Sequence, residues 1–280
     1  MSLGGWGIEP LQMDEDTFRQ VSERLKPILG LDLSSYRDAQ IRRRLQGWLR
    51  RSGEQNWDEA IGRLESDGHT RDGLRDYLAI NVSEFFRDPA HWKALKEHAV
   101  AQILAGRSTA GETLHLRAWS AACSAGQEAY SLAMLLREAL PASGSAEILA
   151  TDIDGEALKR AMDGGPYPES EMKNVHAGLK ERYFEARANG YWAHGVLKEG
   201  IEFRHADLLD LAGHEDGFDL VVCRNAIIYF TVPAKEHVLA RLSRALNPGG
   251  FLFLGATEIL LRPRDYGLSY HAPSLYRREP

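Results

Sequence analysis

The sequence predicts an α/β fold built on a parallel sheet, preceded by a region of helices alone. Leu114, Leu116 and Ala118 alternate with the residues between them, as along a strand. A run of small residues from Ser120 to Gly126 follows, and helical apolar spacing comes after it. A second strand pattern ends on Asp152 about one crossover later. Strand, tight turn and helix form the first half of a nucleotide-binding crossover.

The turn between the first strand and its helix is the expected ligand site. Such a turn presents backbone N–H groups and a helix N-terminus at the C-terminal edge of the sheet. Gly126 alone stands where a dinucleotide site has three spaced glycines, so the turn by itself also fits an ordinary βα connection. Asp152 is the expected ribose ligand, because an acid at a strand end accepts hydrogen bonds from ribose hydroxyls. Asp154 also fits the N-cap of the next helix.

The composition indicates which classes of protein this sequence can belong to. The 280 residues are 44% hydrophobic and 26% charged, which is enough for a packed core in two domains or one large one. The net charge of −6 gives no support to a general nucleic-acid binder. Cys123 and Cys223 lack metal or redox spacing and suit a reducing compartment. No apolar run approaches the ~20 residues of a membrane span, and no secretory signal is expected.

We expect three parts along the chain. They are a helical N-terminal domain over residues 10–88, a linker helix over 89–112 and the α/β domain over 113–280. Helical spacing alone runs through the first part, where Ser35 is the expected N-cap of the second helix. Pro89 can begin the linker helix at its first position.

An insertion is expected inside the α/β domain. Residues from about 170 to 200 fit no simple crossover. Asn189 and Gly190 stand between segments that carry aromatic residues, which is a hairpin turn signal. We therefore predict a small inserted antiparallel β-subdomain.

The second helix of the N-terminal part is rich in arginine. Residues 37–51 contain six arginines and only one aspartate, although the net charge of the whole chain is negative. Most charge runs are solvated helix faces. Because the local excess opposes the overall sign, we favour a docking surface for an acidic partner. The expected contact residues are Arg37, Arg43, Arg44 and Arg51.

Four motifs in fixed order carry a family resemblance. They are Asn81–Arg87 (NVSEFFR), Ala122–Ser131 (ACSAGQEAYS), Ala150–Asp154 (ATDID) and Cys223–Phe230 (CRNAIIYF). The sequence resembles the chemotaxis receptor methyltransferases of the CheR type from about residue 13 to 277. The resemblance implies a class I S-adenosylmethionine-dependent methyltransferase fold, Rossmann-like, with a helical N-terminal domain and an inserted β-subdomain. The stretch from Gly255 to Glu258 departs from the family, since Ala256 and Thr257 replace a usual His-Ser pair.

The resemblance also implies a cofactor, an acceptor and roles for individual residues. S-adenosylmethionine is the expected methyl donor, S-adenosylhomocysteine the product and receptor glutamate side chains the acceptors, with no metal. Glu128 would hold the amino-acid end of the cofactor, Asp152 its ribose, and Asp207 and Leu208 its adenine. The implied cofactor-binding residues are Asn81, Ser83, Arg87, Glu128, Asp152, Asp207, Leu208, Arg224 and Asn225. The implied catalytic residues are Arg87 and Tyr229.

The chemistry of these residues suits methyl transfer to a carboxylate. A glutamate has a pKa of about 4.3 and is ionised at neutral pH, so it needs position rather than a general base. Arg87 can hold a carboxylate with two parallel N–H bonds. The plainer alternatives are a salt bridge of Arg87 with Asp88 or Glu84, a core role for Tyr229 and a helix-capping role for Glu128.

We therefore expect a cytoplasmic protein-glutamate O-methyltransferase that forms glutamate methyl esters in sensory adaptation. Its expected partners are the cytoplasmic domains of methyl-accepting chemotaxis-type receptors, with no nucleic acid, no membrane insertion and a monomeric state. The alternative is a non-catalytic adapter that binds S-adenosylmethionine or S-adenosylhomocysteine in a chemosensory-like pathway. A methyltransferase for small molecules is a weaker third hypothesis, because the arginine-rich helix would be useless for a small acceptor.

Overall fold

The computed structural model describes residues 13–78, 83–107, 114–210 and 216–280. The chain divides into two compact units, Met1–Leu78 and Ala79–Pro280. The domain layout expected from the sequence, with its first boundary after residue 88, stays a prediction. Among the described residues, no helix combines the length and apolar character that crossing a membrane requires.

The first unit is helical throughout its described part. Its core contains the fully buried side chains of Leu25, Leu45, Leu64 and Leu74. These come from four successive helices, so each helix contributes an apolar stripe to one core. The helices are α1 (Glu15–Leu29), α2 (Asp38–Ser52), α3 (Trp57–Ser66) and α4 (Gly68–Leu78), with a 3₁₀ turn at Leu33–Ser35.

The predicted N-cap of the second helix is wrong. Ser35 ends the 3₁₀ turn, and α2 begins only at Asp38. The turn forms because the side chain of Asp32 accepts a hydrogen bond from the backbone N–H of Ser34 at 3.1 Å. Arg37 therefore occupies the N-cap position of α2 and makes no side-chain cap.

The second unit begins with a helix in three pieces. These are α5 (Pro89–Ala94), a π-helical turn (Leu95–Val100) and α6 (Ala101–Arg107). Pro89 is at the first helical position, as predicted. Trp92 and Leu95 are buried in the same core as the central strands.

A seven-stranded sheet forms the centre of the second unit. Its strand order is β5-β2-β1-β6-β7-β9-β8, and β9 is antiparallel to both of its neighbours. The pairings β5/β2, β2/β1, β1/β6 and β6/β7 are parallel. The sheet strands are β1 (His115–Ala121), β2 (Ser145–Asp152), β5 (Ile201–His205), β6 (Phe218–Cys223), β7 (Leu246–Leu254), β8 (Leu268–Ala272) and β9 (Leu275–Arg278), while β3 (Phe184–Arg187) and β4 (Gly190–Ala193) form a separate pair. The predicted α/β architecture, with a mostly parallel sheet, a helical N-terminal region and a small antiparallel β pair, is confirmed.

Helices connect these strands. The crossovers from β1 to β2 and from β6 to β7 each use one long helix, and shorter helices belong to the insertion. The helices are α7 (Gln127–Ala139), α8 (Gly155–Asp163), α9 (Glu169–Met172), α10 (Ala177–Tyr183), α11 (Gly195–Lys198) and α12 (Val232–Ala245), with 3₁₀ turns at Ile227–Tyr229 and Pro263–Tyr266.

The predicted hairpin is confirmed between α8 and β5. Strands β3 and β4 are antiparallel, and Asn189 lies in the turn before Gly190. Gly190 has a φ of 129°, and a Cβ there would lie 2.6 Å from the carbonyl oxygen of Tyr167. That closeness lets Tyr167 and Tyr191 exchange two backbone hydrogen bonds of 2.8 Å, which fasten the hairpin to the chain that leads into it.

Candidate active site

The carboxyl ends of the parallel strands meet at one edge of the sheet, where ligands of such sheets bind. The loop after β1 crosses this edge. Ala122 and Ser124 have φ values of 67° and 50°, and Gly126 has 89°. A Cβ at Gly126 would lie 2.9 Å from the Cβ of Ala161 on α8, so this one glycine lets the turn and the helix approach.

The two acids after β2 have different roles. The side chain of Asp154 accepts the N–H of Ala157 at 2.8 Å and caps α8. Asp152 accepts the backbone N–H groups of Ser124 at 2.6 Å and Asp154 at 3.0 Å. Burial raises the pKa of Asp152, and these hydrogen bonds oppose the rise. A carboxylate has about four acceptor positions, so Asp152 retains capacity to accept a hydrogen bond from a ligand hydroxyl.

Glu128 lies in the first turn of α7 and is buried. The hydroxyl of Ser120 donates to its Oε1 at 2.9 Å. Burial raises the pKa of Glu128 to about 7, against the opposing charge of Arg224. A cationic ligand group beside Glu128 would favour the ionised carboxylate, so this acid fits the ammonium of an amino-acid cofactor.

Arg224 is a buried cation directly after β6. It is 6% exposed, and its guanidinium donates to Asp88 at 2.9 Å. Its charge lies 4.9 Å from the ring centre of Phe253 and 5.6 Å from that of Trp92. Burial lowers the pKa of Arg224, while the neighbouring acids raise it, Glu128 first. The positive charge of Arg87 lowers the pKa of Arg224 further, so the two guanidinium groups are close enough to interact.

Glu258 joins the ends of β6 and β7, a role that the sequence analysis missed. Its Oε2 accepts the backbone N–H groups of Asn225 at 2.7 Å and Gly255 at 2.8 Å. Its side chain is 1% exposed, and burial raises its pKa. Asn225 has a φ of 59°, so the carboxylate holds a left-handed turn in place. The sequence signal for this role was an acid, Glu258, three residues after the glycine that follows a strand.

Asp207 and Leu208 follow β5, next to the end of β2. The N–H of Ala206 donates to the carbonyl oxygen of Asp152 at 2.9 Å, which places Asp207 close to the expected ribose ligand. Asp207 accepts the N–H of Leu209 at 2.8 Å, and burial raises its pKa. Leu208 is buried. The adenine-binding role that the resemblance implies for this pair stays a prediction.

The remaining predicted residues lie on two short segments. Tyr229 ends the 3₁₀ turn after Asn225 and is half-buried. Ser83 and Arg87 are half-buried in the segment before α5. Asn81 lies outside the described residues.

Backbone strain concentrates at this edge. Six described residues other than glycine have positive φ, and five of them are here: Phe86, Asp88, Ala122, Ser124 and Asn225. Such conformations persist where surrounding contacts hold them, and they cluster at functional sites.

The arginine surface of α2 belongs to the first unit. Arg37, Arg43 and Arg51 are exposed, whereas Arg44 is half-buried and donates to the carbonyl oxygen of Tyr77. The guanidinium groups of Arg44 and Arg51 each lie 5.2 Å from the ring centre of Tyr77. Arg44 therefore has a structural contact in addition to its predicted docking role.

The site is rich in acids that can face a cation. Glu128 and Glu258 are buried and interact electrostatically with the buried guanidinium of Arg224, and Asp152 is buried near Glu128. The Nε of Arg224 and the Oε1 of Glu258 are buried without hydrogen-bond partners among the described residues. A ligand that carries a sulfonium, an ammonium and ribose hydroxyls fits this set of donors and acceptors. In the described ranges, no cluster of three His, Cys, Asp or Glu side chains has metal-binding geometry.

Comparisons with known proteins point to the same chemistry. Residues 81–270 match the family model described as CheR methyltransferase, SAM binding domain. The chain is 36% identical over 262 residues to a chemotaxis protein methyltransferase of Listeria monocytogenes, covering 94% of this chain and 96% of that protein. It is 32% identical to chemotaxis protein methyltransferase 1 of Pseudomonas aeruginosa (91% and 94% covered) and to the chemotaxis protein methyltransferase of Escherichia coli (89% and 86%).

Proposed function

Because the chain belongs to the CheR methyltransferase family, we propose that it transfers the methyl group of S-adenosylmethionine to glutamate side chains of methyl-accepting chemotaxis-type receptors. The observation that carries this proposal is the group of buried acids around Arg224 at the carboxyl edge of the sheet. The acceptor class rests on the names of the relatives. The product is a glutamate methyl ester, and the acceptor domains place the reaction in the cytoplasm.

The chain's own residues bind and orient the methyl donor. Glu128 accepts hydrogen bonds from the ammonium of the amino-acid end, and Asp152 accepts hydrogen bonds from the ribose hydroxyls. Asp207 and Leu208 flank the adenine. The other cofactor-binding residues are Asn81, Ser83, Arg87, Arg224 and Asn225. When bound, the cofactor supplies a methyl group activated by a positive sulfur.

Transfer itself needs alignment of the acceptor. Arg87 holds the acceptor carboxylate through parallel N–H bonds, and Tyr229 lines the approach to the methyl group. A lone pair of the carboxylate forms the new C–O bond as the C–S bond breaks, and the sulfur leaves as a neutral thioether. Since the acceptor is already ionised, the residues contribute position and exclusion of water rather than proton transfer.

The arginine surface of α2 supplies the docking contact. Arg37, Arg43, Arg44 and Arg51 attract acidic segments of the receptor and raise its local concentration. The enzyme acts as a monomer, without inserting into the membrane.

The test is transfer of labelled methyl from S-adenosylmethionine to a receptor cytoplasmic fragment. Carboxyl methyl esters release methanol in base, whereas N-methyl and ether products do not. We expect base-labile label with the wild type and with Arg244→Ala, an exposed control. We expect a loss of at least ~100-fold with Arg87→Ala, because a misplaced acceptor reacts slowly.

Other outcomes would redirect the assignment. Base-stable label would mean a different acceptor group. Tight cofactor binding without label on any receptor of the same organism would favour the non-catalytic adapter.

A further inference from the structure

The segment that carries Arg87 is held mainly by residues outside the sheet. The backbone N–H of Phe85 donates to the carbonyl oxygen of Glu171 at 3.0 Å. The side-chain amide of Asn174 donates to the carboxylate of Glu84 and to the carbonyl oxygen of Phe85, both at 3.4 Å. Glu84 also forms an ion pair of 2.5 Å with Lys173. All three partners belong to the chain that leads into the β3–β4 hairpin.

An aromatic cluster adds to these bonds. The ring of Phe85 is fully buried and meets Tyr167 edge to face at 4.9 Å between ring centres. It meets Phe184, the first residue of β3, at 5.2 Å and 87°. Such edge-to-face pairs stabilise a contact beyond the effect of the area they bury. The hairpin therefore forms one wall of the pocket that holds Phe85.

The same insertion is tied to the cofactor turn. The hydroxyl of Tyr167 donates to the carbonyl oxygen of Ala125 at 2.8 Å. The carboxylate of Glu171 accepts from Gln127 at the start of α7 and from Arg160, both at 2.8 Å. One short stretch thus contacts both the cofactor turn and the segment before α5.

The residue next to Arg87 is strained and held from the other side. Phe86 has a φ of 49°, and its N–H donates to the hydroxyl of Ser131 on α7 at 2.9 Å. Contacts from α7 and from the insertion together hold this backbone. Removing the insertion contacts would let the segment relax toward ordinary φ values and move Arg87.

We propose that the inserted subdomain is a positioning element for methyl transfer, with Asn174 and Phe184 holding the Glu84–Phe86 segment so that Arg87 meets the acceptor carboxylate. This inference rests on the proposed function for its kinetic consequence. It assigns the insertion a role in the chemical step that is distinct from docking a partner. Asn174 and Phe184 act through Arg87 and do not touch the acceptor.

The experiment compares Asn174→Ala and Phe184→Leu with a control in the same subdomain. Arg187→Ala is that control, because Arg187 pairs with Glu185 and covers the ring of Trp192, away from the held segment. Hydrogen exchange of peptides that cover residues 84–86 measures directly how strongly this backbone is restrained. Steady-state methylation of the receptor fragment gives kcat and KM separately.

We expect exchange in residues 84–86 to accelerate about tenfold or more in both test variants and not in the control. We expect kcat to fall about 5- to 20-fold at unchanged KM for the receptor, because small displacements slow an aligned reaction. Far-ultraviolet circular dichroism confirms that each variant is folded. Asn174→Ala alone decides the question should Phe184→Leu unfold.

Unchanged exchange in a folded Asn174→Ala protein would overturn the inference. A raised KM with unchanged kcat would also overturn it and leave the insertion as a docking module. If the wild type methylates no receptor, the proposed function fails, while the exchange rates still decide whether the insertion holds the segment.

Discussion

Arginine works in opposite environments in the two units of this protein. At the sheet edge Arg224 is 6% exposed, pairs with Asp88 and lies against two aromatic rings. On α2, Arg43 and Arg51 are exposed to solvent. A buried charge that loses its partner is costly, whereas an exposed pair contributes little and is screened by salt. A single substitution at the sheet edge should therefore cause a large loss of stability and methyl transfer. A single substitution on α2 should cause only a small change.

The largest expected effect comes from Arg224→Met. This substitution leaves Asp88, Glu128 and Glu258 without their shared cation, so we expect the free energy of unfolding to fall by about 3 kcal/mol. Methyl transfer should fall by about 1,000-fold or more. Denaturant unfolding and the methanol-release assay measure the two losses. Arg50→Met, on the exposed part of α2, should change the free energy of unfolding by less than about 0.5 kcal/mol and methyl transfer by less than about twofold. Near-normal turnover in Arg224→Met would mean that burial does not make this arginine essential.

Asp152 and Asp154 give a sharper contrast within the site. Asp152→Asn should weaken binding of S-adenosylmethionine by about 10- to 100-fold, since a charged acceptor of ribose hydrogen bonds is lost. Asp154→Ala should cost about 1 kcal/mol of stability through the lost N-cap of α8, with cofactor affinity nearly unchanged. Calorimetric titration and thermal unfolding separate the two. The reverse pattern would move the ribose contact to Asp154.

The pH dependence of cofactor binding tests Glu128. Burial raises its pKa to about 7, and the cofactor ammonium would favour its ionised form. Below that pH the carboxyl must lose a proton before it binds the ammonium. The Kd for S-adenosylmethionine should therefore rise as the pH falls below about 7, approaching tenfold per pH unit. Glu128→Gln should bind weakly with a flat profile. A wild-type profile equally flat from pH 5 to 8 would contradict the assignment.

The smallest effect is expected on α2. Reversing Arg43 and Arg51 together to Glu should raise the KM for the receptor fragment about 3- to 30-fold at low salt, with kcat unchanged. The difference should shrink at about 0.5 M salt, where screening shortens the range of the attraction. Arg19→Glu, on α1, is a single charge reversal for comparison. An unchanged KM would remove the docking surface and end the contrast between the two arginine groups.

The sheet and its strand-end acids could be predicted because their signals are local. The alternation along β1 and the acid at the end of β2 can each be recognised within a few consecutive residues. The pair of Arg224 and Asp88 joins residues 136 positions apart, and no local pattern announces it. The N-cap prediction at Ser35 failed for a different, local reason, since the side chain of Asp32 stabilises a competing turn.

The insertion shows the same division. The Asn189-Gly190 signal predicted the hairpin, because turn chemistry is encoded in two residues. Its contact with the segment before α5 was not predictable, since Phe85 and Phe184 meet only through the folded chain. Glu258 was visible as part of a motif, but its two backbone partners follow different strands.

The left-handed residues at the sheet edge have a consequence for laboratory evolution. Each costs about 1 kcal/mol relative to glycine. Selection for heat resistance alone would favour glycine at Ala122 and Ser124, where it relaxes the turn. Selection for turnover would retain side chains that stiffen the same loop. The two selections should therefore enrich different residues at these positions. The positions at which they differ would identify the backbone that shapes the active site, without any bound ligand.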